Sequence, residues 1–368
     1  EESLPAFCRL LAGGRPGAGS VPGLCGRENG RIYTAPPAIA ETLPPSPYTP
    51  AYLEALGGRI AYIETTRGCP YRCAFCLSGR CGPVRGWPLD EMFSRIALLA
   101  NSGARTVKFV DRTFNANPAR AAAIWRWIAE NRGRLFPETV CFHFEIAGDI
   151  LAGEHFELLA RFPAGAVQLE IGLQSFHEPT LCAIHRKTDC AKLAENIRRL
   201  AAPGNLHLHI DLIAGLPLED FSTFARSFNI AFSLRPSMLQ LGFLKLLHGA
   251  DMRRDPAQFP CRYSPDPPYE VIDTPWITAA ELSRLHAAED ALERLYNSGR
   301  FIETVHYLLQ STKLDAFSLF LWLGEHIPAP PGTGLDDYTA ALLHTAPQLP
   351  GADAGPLRDA HCLDRLAT

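Results

Sequence analysis

Residues 63–76 have the sequence IETTRGCPYRCAFC, which places Cys69, Cys73 and Cys76 in a C-x3-C-x2-C pattern. The pattern directly follows an apolar run that is typical of a β-strand. Cysteine thiolates are the usual ligands of iron–sulfur clusters. Three thiolates on a four-iron cluster leave one iron open, much as catalytic zinc sites keep an open position. The stretch therefore predicts a cluster that can bind a small bidentate molecule beyond the end of a strand.

Outward from this loop, the chain alternates between strand-like and helix-like segments. Apolar or β-branched runs occupy residues 59–64, 106–110, 140–146, 167–173, 206–213 and 238–246. Helical patterns lie at residues 89–102, 118–132, 153–161, 190–201 and 219–232. Strands that alternate with helices favour parallel βαβ units. We therefore predict an α/β fold, with a partial (βα)6 barrel and a mainly helical C-terminal extension.

Composition divides the chain into three predicted parts. Residues 1–58 are rich in Gly and Pro, and we expect a short helix at 4–13 followed by an extended linker. Residues 59–250 hold the barrel. Residues 251–368 form the extension, which we expect to be loop-rich from Pro328 onward. An amphipathic helix in the extension has an apolar face that should pack in the core, formed by Leu282, Leu285, Ala288, Leu292 and Leu295.

Charge and hydropathy restrict the partners and the location. The formal net charge is −4, whereas a chain that grips a nucleic-acid backbone usually has a basic excess. We therefore expect a small-molecule substrate. No apolar run is long enough to span a bilayer and no signal peptide is evident, so we expect a cytoplasmic protein without a membrane partner. Because residue 1 is Glu rather than Met, we also expect the chain to begin inside a longer gene product.

A structural zinc site is the alternative interpretation of the cysteine loop, and Cys81 could supply its fourth ligand. Zinc sites favour C-x2-4-C pairs that lie far apart, which differs from C-x3-C-x2-C-x4-C. Disulfides are not expected in a cytosolic chain. We interpret the remaining cysteines as incidental thiols: Cys8, Cys25, Cys141, Cys182, Cys190, Cys261 and Cys362.

The cysteine loop, with Phe75 before its last cysteine, resembles that of the radical S-adenosylmethionine (SAM) superfamily. The resemblance implies that Cys69, Cys73 and Cys76 bind a [4Fe–4S] cluster whose fourth iron takes the amino and carboxylate groups of SAM. It implies that reduction splits SAM into methionine and a 5′-deoxyadenosyl radical, and that the backbone near Phe75 supports the adenine. A one-electron reductant such as flavodoxin or ferredoxin is the implied partner.

Further residues resemble SAM contacts of this superfamily, at strand ends where an α/β barrel builds its site. Glu145 resembles the acidic contact to the SAM amino group. The sequence GLQS resembles a turn of coproporphyrinogen-dehydrogenase-like members, which implies cofactor contacts by Gln174 and Ser175. Arg186 matches the arginine that faces the SAM carboxylate, and Asp211 matches the aspartate that holds the ribose hydroxyls. A guanidinium suits a carboxylate, and a carboxylate suits an ammonium or a diol.

One loop stays open to two interpretations. Residues 111–115 (DRTFN) lie where the superfamily places a contact to the SAM amino group, but the usual glycine-rich version is absent. Asn115 and Asn117 could instead cap the following helix.

Several stretches resemble one subgroup, the cobalamin-linked, class-B-methyltransferase-like proteins with a C-terminal domain of unknown function. They are residues 22–24, 64–70, 108–115, 244–249, 296–301 and 307–309. The resemblance implies hydrogen abstraction from a substrate and methyl transfer from methylcobalamin. It also implies that residues 1–58 are the remnant of a cobalamin-binding domain. No D-x-H-x2-G cobalamin-ligand motif occurs, so cobalamin is expected in the intact protein rather than on this chain alone.

Three other functions are alternatives. A tRNA methylthiotransferase would need a second cysteine triad and a basic extension, and neither is present in the sequence. A porphyrinogen-type dehydrogenase would share only the SAM-binding turns. An iron–sulfur electron carrier or scaffold would not need the SAM-directed residues Glu145, Gln174, Arg186 and Asp211.

Overall fold

The computed structural model describes residues 3–13, 21–28, 30–36, 42–80, 82–330 and 332–367. The chain forms two compact units, Glu1–Gly57 and Gly58–Thr368. The three-part division at residues 58 and 250 stays a prediction.

The first unit contains more regular structure than its composition suggested. The predicted short helix is present, as Ser3–Ala12. The expected linker contains an antiparallel hairpin of Cys25–Glu28 with Arg31–Thr34, followed by a helix at Pro50–Glu54. The sequence Asn29-Gly30 is a frequent hairpin signal, which the interpretation as a linker overlooked.

Six parallel strands form the centre of the second unit, which confirms the predicted α/β partial barrel. Adjacent strands are hydrogen-bonded in chain order, from β1 at one edge to β6 at the other. The strands are β1 (Ile60–Ile63), β2 (Thr106–Phe109), β3 (Cys141–Ile146), β4 (Val167–Gln174), β5 (His207–Ala214) and β6 (Met238–Phe243). Since they are parallel and adjacent, all six carboxyl ends lie at one end of the barrel, where βα loops build a site.

Helices connect the strands and cover the outside of the barrel. They are Leu89–Ala100, Pro118–Asn131, Gly153–Leu159, Glu178–Ala183, Cys190–Ala201 and Phe221–Ser233. Asn117 accepts a hydrogen bond from Arg120 N at 3.1 Å, so its interpretation as a helix cap is confirmed. Asp220 caps the last of these helices by accepting from Thr223 N at 2.7 Å.

Side-chain alternation along the strands separates an apolar outer face from a polar interior. On β5, Leu208, Ile210 and Leu212 are buried, whereas His209 and Asp211 are half-buried on the other face. β4 has the same alternation. A period of two is what a strand imposes on its side chains. The polar interior therefore leads directly to the carboxyl ends of the strands.

The chain after β6 is mainly helical, as predicted. Two short antiparallel strands, Arg262–Tyr263 and Val271–Asp273, lie between the first of these helices and the others. The helices are Asp251–Arg254, Ala279–Leu292, Ile302–Thr312, Ala316–His326, Leu335–Thr345 and Ala354–Ala367. The five apolar residues of the amphipathic helix are all buried, which confirms that face as core. Among the described residues, none of the helices has the length and apolar character that crossing a bilayer requires.

The expectation of a loop-rich segment after Pro328 is wrong. Leu335–Thr345 and Ala354–Ala367 are helices, and Asp364 in the second accepts hydrogen bonds from Glu303 N at 2.8 Å and Thr304 N at 2.9 Å. These amides begin another helix, so Asp364 caps it from 60 residues away. A cap supplied over that sequence distance leaves no local pattern to recognise.

A close contact between two C-terminal helices gives a first prediction. A Cβ at Gly324 would lie 1.9 Å from Ala287 O, on the helix Ala279–Leu292. We expect Gly324→Ala to lower the free energy of unfolding by roughly 1–3 kcal/mol, because two backbones would have to separate. Gly355→Ala is the matched control, since a Cβ there meets nothing within 4 Å. Denaturant titration of both variants checks this, and equal effects would contradict it.

Candidate cofactor site

A buried carboxylate fixes the start of the cysteine loop, where the chain leaves β1. Asp111, just beyond the end of β2, is 0% exposed. It accepts hydrogen bonds from Thr65 N at 3.0 Å, from Thr65 Oγ1 at 2.8 Å and from the Thr66 hydroxyl. Burial raises the pKa of Asp111, and these hydrogen bonds oppose the rise. The first residues of the loop are therefore fixed to the neighbouring strand.

Other elements hold the rest of the loop through its backbone. Arg120 Nη2 and Trp87 N each donate to Thr65 O at 3.0 Å. Ala74 N donates to Ile184 O at 2.9 Å, and Met252 N donates to Ala74 O at 3.0 Å. Because both halves of the loop are fastened, its cysteines have defined positions.

The three cysteines line a cavity of about 180 Å³ at the carboxyl ends of the strands. Every side chain predicted to contact SAM except Ser175 lines the same cavity: Phe75, Glu145, Gln174, Arg186 and Asp211. Parallel strands bring together residues that lie far apart in the sequence. We call this space the inner cavity.

Each thiol lies near a polar group. Thr113 Oγ1 lies 3.5 Å from Cys69 Sγ, and Ser78 N donates to Cys76 Sγ at 3.4 Å. Arg186 Nη1 donates to Cys73 Sγ at 3.7 Å. Burial raises the pKa of Cys73, and the charge of Arg186 opposes that rise. Donors beside a sulfur favour the thiolate, which is the form that binds metal.

The arrangement of donors fits a cluster better than a single zinc ion. Within residues 42–80, 82–330 and the other described ranges, no three His, Cys, Asp or Glu side chains converge as a single-ion site would require. A polynuclear cluster binds each thiolate through a different iron, so its ligands surround a space instead of meeting at a point. Cys81, the fourth ligand of the zinc alternative, lies outside the described residues.

Arg186 is presented by the end of a short helix. The helix Glu178–Ala183 stops where His185 adopts a left-handed φ of 58°, and Arg186 N donates to Leu181 O at 2.8 Å. Such a left-handed residue is a common way to end a helix. The guanidinium donates to Gly172 O and lies 5.7 Å from the centre of the Tyr71 ring. Tyr71 lines the inner cavity, although its position inside the cysteine motif drew no attention in the sequence.

The side chains of Gln174 and Ser175 point in different directions at the end of β4. Gln174 has a φ of 76°, and a Cβ on Gly172 would lie 2.5 Å from Gln174 Nε2, so only glycine leaves room for that amide. Ser175 is buried behind the cavity wall and donates to Glu219 Oε1 at 2.6 Å. The left-handed turn therefore directs Ser175 toward Glu219 and Gln174 toward the inner cavity, and the cofactor contact expected of Ser175 stays a prediction.

Two carboxylates face each other across β3 and β4 with opposite properties. Glu170 accepts from Lys108 Nζ at 3.1 Å and lies 2.9 Å from His143 Nε2, and the hydrogen bond with His143 lowers the pKa of Glu170 to about 2. Burial raises the pKa of Glu145, and the neighbouring Glu170 raises it further. Lys108, Arg112 and His143 oppose that rise from a distance, but none of them forms a hydrogen bond or ion pair with Glu145 among the described residues. A ligand ammonium would stabilise its ionised form.

Asp211 offers another acceptor. Its Oδ1 is buried and lies 2.9 Å from His209 Nε2, but the two atoms are not aligned for a hydrogen bond. Burial lowers the pKa of His209, yet the proximity of Asp211 raises it overall. A buried acceptor without an aligned donor is suited to a ligand hydroxyl.

Residues 111–115 contribute partly to the inner cavity and partly to the packing of neighbouring backbone. Arg112 and Thr113 line the inner cavity. Asn115 does not cap the next helix; its amide donates to Ala147 O at 2.7 Å and accepts from Ala147 N at 2.8 Å. The loop therefore contributes to the cavity through two residues and positions the end of β3 through a third.

Comparison with protein families agrees with this geometry. Residues 63–229 match the model of the radical SAM superfamily. Those residues form a radical SAM domain. Residues 257–328 match a second model, described as a protein of unknown function (DUF4080).

Its relatives include two kinds of enzyme. The cobalamin-dependent radical SAM methyltransferase TokK of Streptomyces tokunonensis is 28% identical over 251 residues, covering 62% of this chain and 35% of TokK. The tRNA-2-methylthio-N(6)-dimethylallyladenosine synthase of Psychrobacter sp. is 26% identical over 188 residues, covering 48% of this chain and 37% of that enzyme. The chain thus spans little more than a third of either relative.

A solved structure shares the fold. The cobalamin-dependent S-adenosylmethionine radical enzyme OxsB, with aqua-cobalamin bound, has a TM-score of 0.60 and 12% identity. The match covers 100% of this chain and 63% of OxsB. At that identity the likeness concerns the fold alone.

The role of Asp111 gives a second prediction. We expect Asp111→Asn to lower the free energy of unfolding by roughly 2–3 kcal/mol, because an amide nitrogen would face buried donors that a carboxylate satisfies. Asp359→Asn, on an exposed position of the last helix, is the control and should have little effect. Urea denaturation measures both variants, and a neutral Asp111→Asn would show that the loop does not depend on this carboxylate.

Glu219 gives a prediction about pH. Burial raises its pKa from the ordinary 4.5 to about 7, although hydrogen bonds from Ser175 and Ser227 oppose the shift. Since the folded protein holds this proton more tightly than the unfolded chain, the proton's stabilising contribution is complete below pH 4.5 and is lost as the pH rises through about 7. The loss is on the order of 3 kcal/mol.

Glu219→Gln stays neutral and should escape that loss. Its free energy of unfolding relative to the parent protein should therefore increase between about pH 5 and about pH 8. Glu157→Gln, at an exposed helical position, should show a constant difference over the same range. A constant difference for Glu219→Gln as well would mean that the buried carboxyl has an ordinary pKa.

Proposed function

We propose that this chain is the catalytic part of an enzyme that cleaves SAM reductively at a [4Fe–4S] cluster held by Cys69, Cys73 and Cys76. The observation that carries the proposal is the meeting of these thiols with Arg186 and Asp211 on one cavity. When bound and reduced, the cluster would supply the electron that splits SAM into methionine and a 5′-deoxyadenosyl radical.

The remaining residues of the inner cavity would bind and orient SAM. Arg186 is the guanidinium available to the carboxylate, and Glu145 is the carboxylate without a hydrogen-bonded cation among the described residues, which suits the ammonium. Asp211 would accept from the ribose hydroxyls, and the segment around Phe75 would support the adenine. Gln174 would add a polar contact from the turn after β4. Together these groups would keep SAM in one orientation and limit the entry of water.

Methyl transfer with cobalamin is the second half of the proposal. It is supported by the similarity to TokK and by the fold shared with OxsB, which are both cobalamin-dependent. The chain has no D-x-H-x2-G motif, so a segment beyond these residues would bind cobalamin. We infer that a small molecule is the substrate, because the formal net charge of these residues is −4 rather than basic.

Methylthio transfer is the second candidate, because the Psychrobacter synthase is a relative of similar identity. That reaction would require another sulfur-supplying cluster. We favour methyl transfer because TokK, a cobalamin-dependent radical SAM methyltransferase, matches a larger share of this chain, 62% against 48% for the synthase.

Anaerobic reconstitution with iron and sulfide tests the proposal. After SAM and dithionite are added, we expect 5′-deoxyadenosine to accumulate, as followed by chromatography. Cys73→Ala should abolish the product, because a cluster ligand is lost. Cys362→Ala is the matched control, since it removes an exposed thiol outside the loop, and it should behave like the parent protein. Zinc in place of iron, or equal product from Cys73→Ala, would contradict the proposal.

A further inference from the structure

Each thiol of the cysteine loop has its own hydrogen-bond donor. The donors are a hydroxyl, a backbone amide and a guanidinium, and they belong to Thr113, Ser78 and Arg186. Their distances to sulfur are 3.5, 3.4 and 3.7 Å respectively. The fastening of the loop does not explain them, because its backbone is already held through Thr65 and Ala74. The donors therefore act on the sulfurs themselves.

The two side-chain donors have fixed positions. Thr113 is 6% exposed and lies between the anchoring Asp111 and Phe114, which is 2% exposed. Its carbonyl accepts a hydrogen bond from Ala116 N at 3.0 Å. The guanidinium of Arg186 is held by Gly172 O and by the ring of Tyr71. Polar groups that are already oriented stabilise new charge without the cost of reorganisation.

The Thr113 hydroxyl has two acceptors within reach. It donates to Arg112 O at 2.8 Å, and Cys69 Sγ lies at 3.5 Å. A cysteine that binds iron is deprotonated, so its sulfur can only accept a hydrogen bond. Hydrogen bonds to a charged acceptor are about twice as strong as those between neutral groups. A cluster on Cys69 would therefore turn this hydroxyl toward the sulfur.

We propose that Thr113, together with Ser78 N and Arg186, raises the reduction potential of the cluster. The inference rests on the proposed function, since it needs a cluster on the three cysteines. On reduction the cluster gains one electron from the reductant, and no atom is transferred. Donors beside the sulfurs stabilise the added negative charge, so they favour the reduced cluster over the oxidised one. Burial strengthens the effect, because hydrogen bonds are stronger in a medium of low dielectric.

Thr113→Val tests the proposal, because it replaces the hydroxyl with a methyl group of similar size. After anaerobic reconstitution, the fraction of reduced cluster is measured by EPR at solution potentials set by low-potential mediator dyes, without SAM. At a fixed potential, we expect the ratio of reduced to oxidised cluster to fall on the order of tenfold. That change corresponds to a potential more negative by about 59 mV for a one-electron couple.

Two further variants at threonines serve as controls. Thr113→Ser keeps the hydroxyl and should restore most of the parent potential. Thr345→Val removes a half-buried hydroxyl at the end of the helix Leu335–Thr345, outside the inner cavity, and should leave the potential unchanged. A merely structural role of Thr113 would reduce the amount of assembled cluster without moving its potential. An unchanged potential in assembled Thr113→Val would overturn the proposal.

Arg186→Met decides the question if Thr113→Val assembles no cluster. Its potential without SAM should also be more negative than that of the parent protein, since a donor and a positive charge are both lost from Cys73. An unchanged potential would then overturn the proposal and leave the proposed function standing. A parent protein that binds no [4Fe–4S] cluster would overturn both.

Discussion

The candidate site depends first on one buried carboxylate. Asp111 lies just beyond β2 and accepts hydrogen bonds from Thr65 and Thr66, which lie just beyond the adjacent β1, so the ends of two parallel strands share a single anchoring point. The cysteine loop, up to Cys76, extends from that anchoring point. A buried acid surrounded by three donors is stable only in this geometry, since each donor would otherwise be left without a partner. The position of the cysteines is therefore determined by hydrogen bonding at their base rather than by the cysteines themselves.

Charge inside the barrel is distributed unevenly, and this distribution gives the two central acids separate roles. Lys108 and His143 both serve Glu170, so that carboxylate is satisfied by the protein. Glu145, on the neighbouring strand, is the acid that we propose for the SAM ammonium. Backbone register places the two side by side, because Glu145 pairs with Glu170 across the parallel ladder. The register of the sheet therefore places Glu145 beside Glu170, whose cationic partners come from the protein.

The amino-acid pattern was sufficient for the barrel and for the thiols, but not for side-chain direction at turns. Strand β5 was expected at 206–213 and lies at His207–Ala214, because its alternation of apolar and polar residues is strong. Ser175 turns toward Glu219 after the left-handed Gln174, and a sequence motif does not reveal that direction. Tyr71 and Glu170 were missed, since their importance arises from neighbours on other strands. The last two helices were missed as well; Asp364 in the second of them caps the start of Ile302–Thr312, a long-range contact that the local sequence does not reveal.

The segment Ile184–Arg186 joins two parts of the site. Its first residue fastens the cysteine loop through Ala74 N, and its last residue is the arginine that faces Cys73 and the inner cavity. Three consecutive residues thus connect the cysteine loop to the guanidinium proposed to hold the SAM carboxylate. Because they are consecutive, they fix the spacing between the loop and that guanidinium. Transplanting the cysteine loop into another barrel would preserve that spacing only if this distant tripeptide and its preceding helix were moved with it.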